Sequence, residues 1–151
     1  MSSGRHKVIP PIYFFGSLLA SWLLHAFVPV ARIVPAPFNW AGAVLVAGGL
    51  VLALWAAGLF KRAGTPIKPF TQSTALVTSG VYRFTRNPMY LGMATVLLGE
   101  AVLFGTLTAF VPLPLFVWQI QRKFVREEEA FLEGIFGPAY VEYKARVRRW
   151  L

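Results

Sequence analysis

The chain has no cysteine. Disulfides and thiolate metal sites are therefore excluded. Histidine is almost as scarce, with only His6 and His25. Neither has a partner at ligand spacing, which argues against a metal enzyme and against a histidine-based nucleophile relay. In its apolar stretch, His25 reads as a buried, hydrogen-bonded histidine rather than a ligand. Acidic residues are also few, six against 15 lysines and arginines, for a net charge of +9. Such a balance would suit nucleic acid. Membrane topology and attraction to anionic lipid headgroups account for it more simply.

Charge of either sign is missing from two long runs, 12–30 and 38–60. Each approaches the roughly 20 residues that cross a bilayer as a helix. A cleaved leader is a poor reading of the first, because more apolar stretches follow and no small-residue cleavage site is evident. Two further apolar stretches cover 88–107 and 108–120. Glu100 interrupts the first of them, and Pro112 and Pro114 the second. Prolines are tolerated in membrane helices when neighbours re-satisfy the freed carbonyls. The expected fold is all-α integral membrane, with about four transmembrane helices, a C-terminal helical hairpin and a cytoplasmic amphipathic tail.

The cations test this independently. Only Arg32 lies between the first two spans, and none lies near Gly105. All the others fall at the N-terminus, between Lys61 and Arg86, or after Ile120. Four spans put those regions on one side, and the positive-inside rule makes it cytoplasmic. Both termini are expected there.

The chain reads as a single membrane domain, 1–151. Residues 12–60 form two N-terminal membrane helices, 61–87 a cytoplasmic loop, and 88–151 a helical hairpin with C-terminal interfacial helices. In the second span, Gly42, Gly48, Gly49 and Gly58 offer close helix packing. The loop holds Pro66, Pro69, Thr71, Gln72, Ser73 and Thr74, and its apolar content argues for order rather than disorder. A plain connector is the bland alternative, but long loops are usually functional. Beyond Ile120, the fourth helix should continue out of the membrane and stop at Gly137-Pro138. Tyr140, Tyr143 and Val147 then recur at helical spacing.

Three features could carry chemistry. The run Tyr82 to Gly92 places Arg83 and Arg86 beside Asn87-Pro88, a helix start with Asn as N-cap and Pro first in the helix. Free N–H groups and arginines make an anion-attracting corner there; snorkelling arginines in an aromatic belt are the ordinary alternative. Glu100 is a carboxylate inside a span, functional by default unless a neighbouring helix holds it neutral or hydrogen-bonded. Glu127, Glu128 and Glu129 point in different directions on a helix. They form either a solvated face paired with Arg122, Lys123 and Arg126, or a wall of the same aqueous boundary.

Together these blocks resemble the isoprenylcysteine carboxyl methyltransferase and phospholipid methyltransferase-like integral membrane proteins. The chain carries Leu76-Val77-Thr78-Ser79-Gly80-Val81-Tyr82, then Arg86-Asn87-Pro88-Met89-Tyr90-Leu91-Gly92. Glu128-Glu129-Ala130-Phe131-Leu132 and Phe136-Gly137-Pro138-Ala139-Tyr140-Val141-Glu142-Tyr143 follow at the family's spacing. The match runs from about residue 70 to 147. One departure stands out: Asn87 occupies the place of the usual histidine. Asparagine can hydrogen-bond but carries neither proton nor charge.

The resemblance implies an S-adenosylmethionine-dependent integral membrane methyltransferase acting on a lipophilic acceptor, such as a prenylcysteine-like carboxylate or a lipid amine. It implies that Thr74, Ala75, Leu76, Val77, Tyr82, Arg86, Asn87, Pro88, Met89, Tyr90 and Glu128 bind the cofactor. Arg122 or Arg126 would contact substrate, and Glu128 would face the cofactor's positive charge. The short tail argues against a prenylated-protein acceptor. Methyl transfer is an in-line displacement, in which alignment can supply roughly 7–11 kcal/mol. A membrane sterol-reductase-like NADPH enzyme is the alternative class, although those enzymes are larger. A non-catalytic membrane binding protein of the same fold is the other.

Overall fold

The computed structural model describes residues 9–67 and 73–151. His6 and the loop residues Pro69, Thr71 and Gln72 lie outside the described residues. Among those described, the chain is all-helical and has no strand, only an isolated bridge between Arg32 and Thr106. The helices are α1 (Pro10–Phe27), α2 (Ala41–Arg62), α3 (Pro88–Phe104), α4 (Pro112–Ile120), α5 (Arg126–Phe136) and α6 (Pro138–Arg146).

Proline and glycine punctuate them as their backbone chemistry requires. Pro10, Pro88, Pro112 and Pro138 each sit in the first helical turn, where the missing N–H has no intrahelical partner to lose. Pro112 therefore begins α4 instead of interrupting a longer span, and a short 3₁₀ turn, Leu107–Phe110, precedes it. Gly105 ends α3 in the left-handed region, with φ 74°. A side chain there would strike the Val34 carbonyl. That carbonyl belongs to the 28–37 loop, which docks through the Ile33 and Val34 N–H groups onto the Gly105 oxygen, at 2.8 and 3.1 Å. At this end His25 faces Thr106 Oγ1 at 3.0 Å and stacks on Phe104, a hydrogen-bonded histidine rather than a ligand.

The segment Phe38–Arg62 is long and apolar enough to cross a membrane, with mean hydropathy 2.3 and only 11% of its core window buried inside the protein. The helix Pro88–Phe104 is apolar but shorter. These two pack most extensively, α2 against α3. Glycine permits it: a Cβ on Gly49 would lie 2.6 Å from the Gly92 carbonyl oxygen, and Gly42 meets Gly99 in the same way. Gly48 and Gly58 face open space, so half of the expected glycine contact is absent. Gly49→Ala is expected to destabilise by about 1–3 kcal/mol through overpacking. Gly48→Ala should be neutral or stabilise by about 0.5–1 kcal/mol. Thermal unfolding in detergent compares the two.

From α4 the chain runs without a break through a π turn, Gln121–Val125, into α5. The extra residue of a π turn rotates everything after it. Phe124 and Val125 face inward and join Tyr90, Leu97, Phe116 and Ile120 in the core. Gly137 turns the chain back, and α6 packs on α5.

Candidate functional site

The site lies where α3 begins, under the loop that precedes it. Val77, Val81 and Tyr82 of that loop are buried against Ala56, Leu52, Leu59 and Phe60 of α2. Gly80 allows this approach, with φ 59° and no side chain to press on Leu59. The Tyr143 hydroxyl of α6 donates to the Tyr82 carbonyl at 2.8 Å. Loop, α2 and α6 are thus tied together. Tyr143→Phe should cost about 1–2 kcal/mol by orphaning that carbonyl, a loss visible in a thermal melt.

A narrow cleft opens between these elements. Ser73, Ala75, Leu76 and Val77 form one wall and Arg86, Asn87, Pro88, Met89 and Tyr90 another; Phe60, Tyr82, Glu128, Glu129, Leu132, Tyr140 and Tyr143 complete it. Every residue expected at the cofactor is here except Thr74. Thr74 ties the loop together: its backbone N–H donates to Thr65 Oγ1 at 3.2 Å and its hydroxyl to the Gly64 carbonyl at 3.1 Å. Arg122 and Arg126 do not line the cleft. Both are exposed, and Arg122 lies over the Trp118 ring. Glu100 is also elsewhere, half-buried in α3.

The three consecutive glutamates separate by direction, as helical geometry demands. Glu127 is exposed. Glu128 faces α3 and accepts a hydrogen bond from the Tyr90 hydroxyl at 2.7 Å. Burial pushes its carboxyl up to about 7, with the neighbouring Glu129 charge adding and the Tyr90 bond opposing. Glu129 is buried between two arginines. Arg149 grips it with Nε to Oε1 at 2.9 Å and Nη2 to Oε2 at 2.8 Å, and Arg86 Nη1 lies 3.0 Å from Oε1. Glu133 pairs with Lys144 at 2.8 Å. For Glu128 and Glu129 these partners replace the alternative of pairing with Arg122, Lys123 and Arg126, and Lys123 donates to the Tyr13 hydroxyl at 2.9 Å.

Asn87 stands at the start of α3, as expected, but its side chain does not cap the helix. The Nδ2 group donates to the Arg149 carbonyl at 3.0 Å, 62 residues away. Thr85 Oγ1 donates to the same oxygen at 3.1 Å, and the Arg86 N–H donates to the Arg148 carbonyl at 2.9 Å. Trp150 completes this strap, donating Nε1–H to Gln121 Oε1 at 2.8 Å and packing on the core. Arg149, Tyr140 and Tyr143 were not assigned to the site from sequence. The family-like spacing around Gly137 placed both tyrosines nearby; nothing local pointed to Arg149.

Two kinds of group in the cleft suit a polar ligand. The Tyr82 hydroxyl and the Arg86 Nε are buried without a hydrogen-bond partner among the described residues. Burial pushes the Tyr82 phenol upward, so it remains a protonated donor at neutral pH. Glu128, by contrast, offers a carboxylate that a cation would stabilise. No cluster of metal-ligating side chains exists among the described residues.

Comparison with known proteins identifies the family. Human protein-S-isoprenylcysteine O-methyltransferase is 42% identical over 72 residues, 48% of this chain and 25% of that protein. The enzyme of the same name from Rattus norvegicus is 35% identical over 112 residues, 68% of this chain and 39% of the relative. That from Schizosaccharomyces pombe is 33% identical over 72 residues, covering 48% and 30% respectively. The chain thus matches well under half the length of each. The family described as phospholipid methyltransferase matches residues 38–139, which include α2, the cleft loop, α3 and the glutamate helix. By that match the chain belongs to the phospholipid methyltransferase family.

Proposed function

We propose that this protein transfers a methyl group from S-adenosylmethionine to a lipophilic acceptor at the cytoplasmic face of a membrane. The observation that carries the reading is the cleft itself. It gathers Ala75 to Val77, Tyr82, Arg86 to Tyr90 and Glu128 around one space, and these are the positions that the family resemblance assigns to the cofactor. Glu128 would complement the ammonium or sulfonium charge of the donor. Arg86 and Tyr82 would receive anionic or hydroxyl groups. The donor supplies an activated methyl; the chain's residues bind it, orient it and exclude water. A nucleoside-sized occupant must part the narrow walls.

The four-span topology is part of this proposal. Exposed apolar side chains cover α1, α2 and α4, among them Phe15, Leu19, Val44, Leu54, Trp55, Leu115 and Trp118. Soluble monomers rarely expose a belt of this kind. Lipid would cover it, with 12–60 spanning twice, 88–120 returning as a hairpin, and both termini cytoplasmic by the charge rule. An acceptor dissolved in the bilayer then reaches the cleft from the side while the polar donor enters from water. Prenylcysteine-type carboxylates and phospholipid amines are acceptors of this kind. Arg122 and Arg126, exposed and outside the cleft lining, are the proposed contacts for its anionic group.

Incubation with labelled S-adenosylmethionine and a total lipid extract, followed by mass spectrometry, tests the reaction. A labelled lipid is the expected result. Calorimetry in detergent or lipid that shows no binding of S-adenosylmethionine or S-adenosylhomocysteine would sink the reading.

A further inference from the structure

We propose that Arg149 is a positioning residue that keeps Arg86 free to bind the carboxylate of an amino-acid-bearing ligand. The inference rests on the methyl-donor reading and deepens it. It begins with an imbalance: two guanidinium groups share one carboxylate, Glu129. Left alone with Arg86, Glu129 would take the guanidinium fork in the two-point geometry such pairs favour. The local charge would then be nil.

Arg149 prevents this. It occupies both oxygens of Glu129, through Nε at 2.9 Å and Nη2 at 2.8 Å. Toward Glu129, Arg86 retains a single approach, Nη1 to Oε1 at 3.0 Å, which is not aligned as a hydrogen bond, and it also interacts with the Tyr140 hydroxyl. Its Nε has no partner among the described residues. The Arg86 side chain is nevertheless only 10% exposed. A buried cation with unmet donors is costly, and here the surrounding structure enforces it.

The enforcement comes from the strap. The Arg149 carbonyl accepts from Thr85 Oγ1 and Asn87 Nδ2, and the Arg148 carbonyl accepts from the Arg86 N–H. Trp150 anchors the far side on Gln121 and the core. Arg149 therefore reaches Glu129 from a backbone fixed to the same corner that carries Arg86. The unit keeps one positive charge in excess and offers donor atoms at the cleft. A carboxylate is the group that matches it. Glu128 stands on the same cleft for the accompanying ammonium. The pair recognises an α-amino acid end, which S-adenosylhomocysteine has and 5′-methylthioadenosine lacks.

The test is calorimetry of the full chain in lipid nanodiscs with those two compounds. Arg149→Ala should weaken S-adenosylhomocysteine about tenfold, the scale of losing one charge across a partly screened site. It should leave 5′-methylthioadenosine within about twofold, which also reports an intact fold. Arg149→Gln, which keeps a polar stem without charge, should show the same selective loss should the alanine variant not fold. Arg149→Lys, which restores the charge but not the two-point grip on Glu129, should recover part of the affinity. Equal losses for both compounds, or wild-type affinity for S-adenosylhomocysteine in the glutamine variant, would overturn the inference and leave the methyl-donor reading standing. Failure of the wild type to bind either compound would overturn both.

Discussion

Glu128→Ala is expected to weaken S-adenosylhomocysteine binding by about thirtyfold or more, the range for truncating one partner of a buried, hydrogen-bonded charge pair. Tyr90→Phe should cost less, because it removes one hydrogen bond and no charge. The pH dependence is the sharper signature. Burial holds the Glu128 carboxyl at about 7 in the empty site. A cationic ligand needs the ionised form, so binding must expel the proton below that value. Affinity should therefore rise about tenfold from pH 6 to pH 8, following the ionised fraction. Glu128→Gln should flatten the profile. The other titratable groups around it do not mimic this change. Tyr82 and Tyr143 are pushed upward by burial.

The same shift has a stability consequence of opposite sign in the free protein. The folded Glu128 binds its proton more tightly than an unfolded glutamate would. Its stabilising contribution is complete below about pH 4.5 and is lost as pH rises through about 7. The ligand-free protein should thus melt at higher temperature near pH 5 than near pH 8. Glu128→Gln should reduce that difference. A variant more stable than wild type at pH 8 but poorer in binding would mark a residue kept for function at the expense of stability.

Glu129→Ala should produce the largest loss of stability, about 3–5 kcal/mol, the usual result of removing one member of a buried ion group. It leaves Arg86 and Arg149 facing one another with no anion between them. The strap would be repelled from the α3 corner, and Thr85, Asn87 and the Arg86 N–H would lose partners with it. Chemical or thermal unfolding in detergent measures the loss. Hydrogen exchange would show it first at residues 85–87 and 148–150. Near-wild-type stability would mean that the backbone hydrogen bonds alone hold the strap.

Much of the architecture could be read from local pattern. Pro88, Pro112 and Pro138 mark helix starts, and Gly105 and Gly137 mark helix ends, because their constraints act within one or two residues. The cleft loop was legible because Leu76 to Tyr82 and Arg86 to Gly92 match a family pattern as blocks. Local pattern says less where a choice depends on distant atoms. Thr74 is polar and adjacent to the cleft, but its hydrogen bonds go to Gly64 and Thr65. Gly48 and Gly58 look like Gly42 and Gly49 in sequence, and only the rotation of α2 against α3 separates them.

The sequence by itself determined an all-helical chain, its apolar runs, the clustering of its cations along the chain and the family that its motifs resemble. The first three depend on composition and periodicity, and the last on whole blocks of residues. The tertiary structure alone decided the partners. A π turn at Gln121–Val125 sets the phase of α5, so that Glu128 meets Tyr90 and Glu129 meets the arginines. Asn87 turns to a carbonyl 62 residues away, and Arg149 becomes part of the site's charge balance. No local pattern carries such choices, because a hydrogen bond is decided by which atoms folding brings within 3 Å of one another.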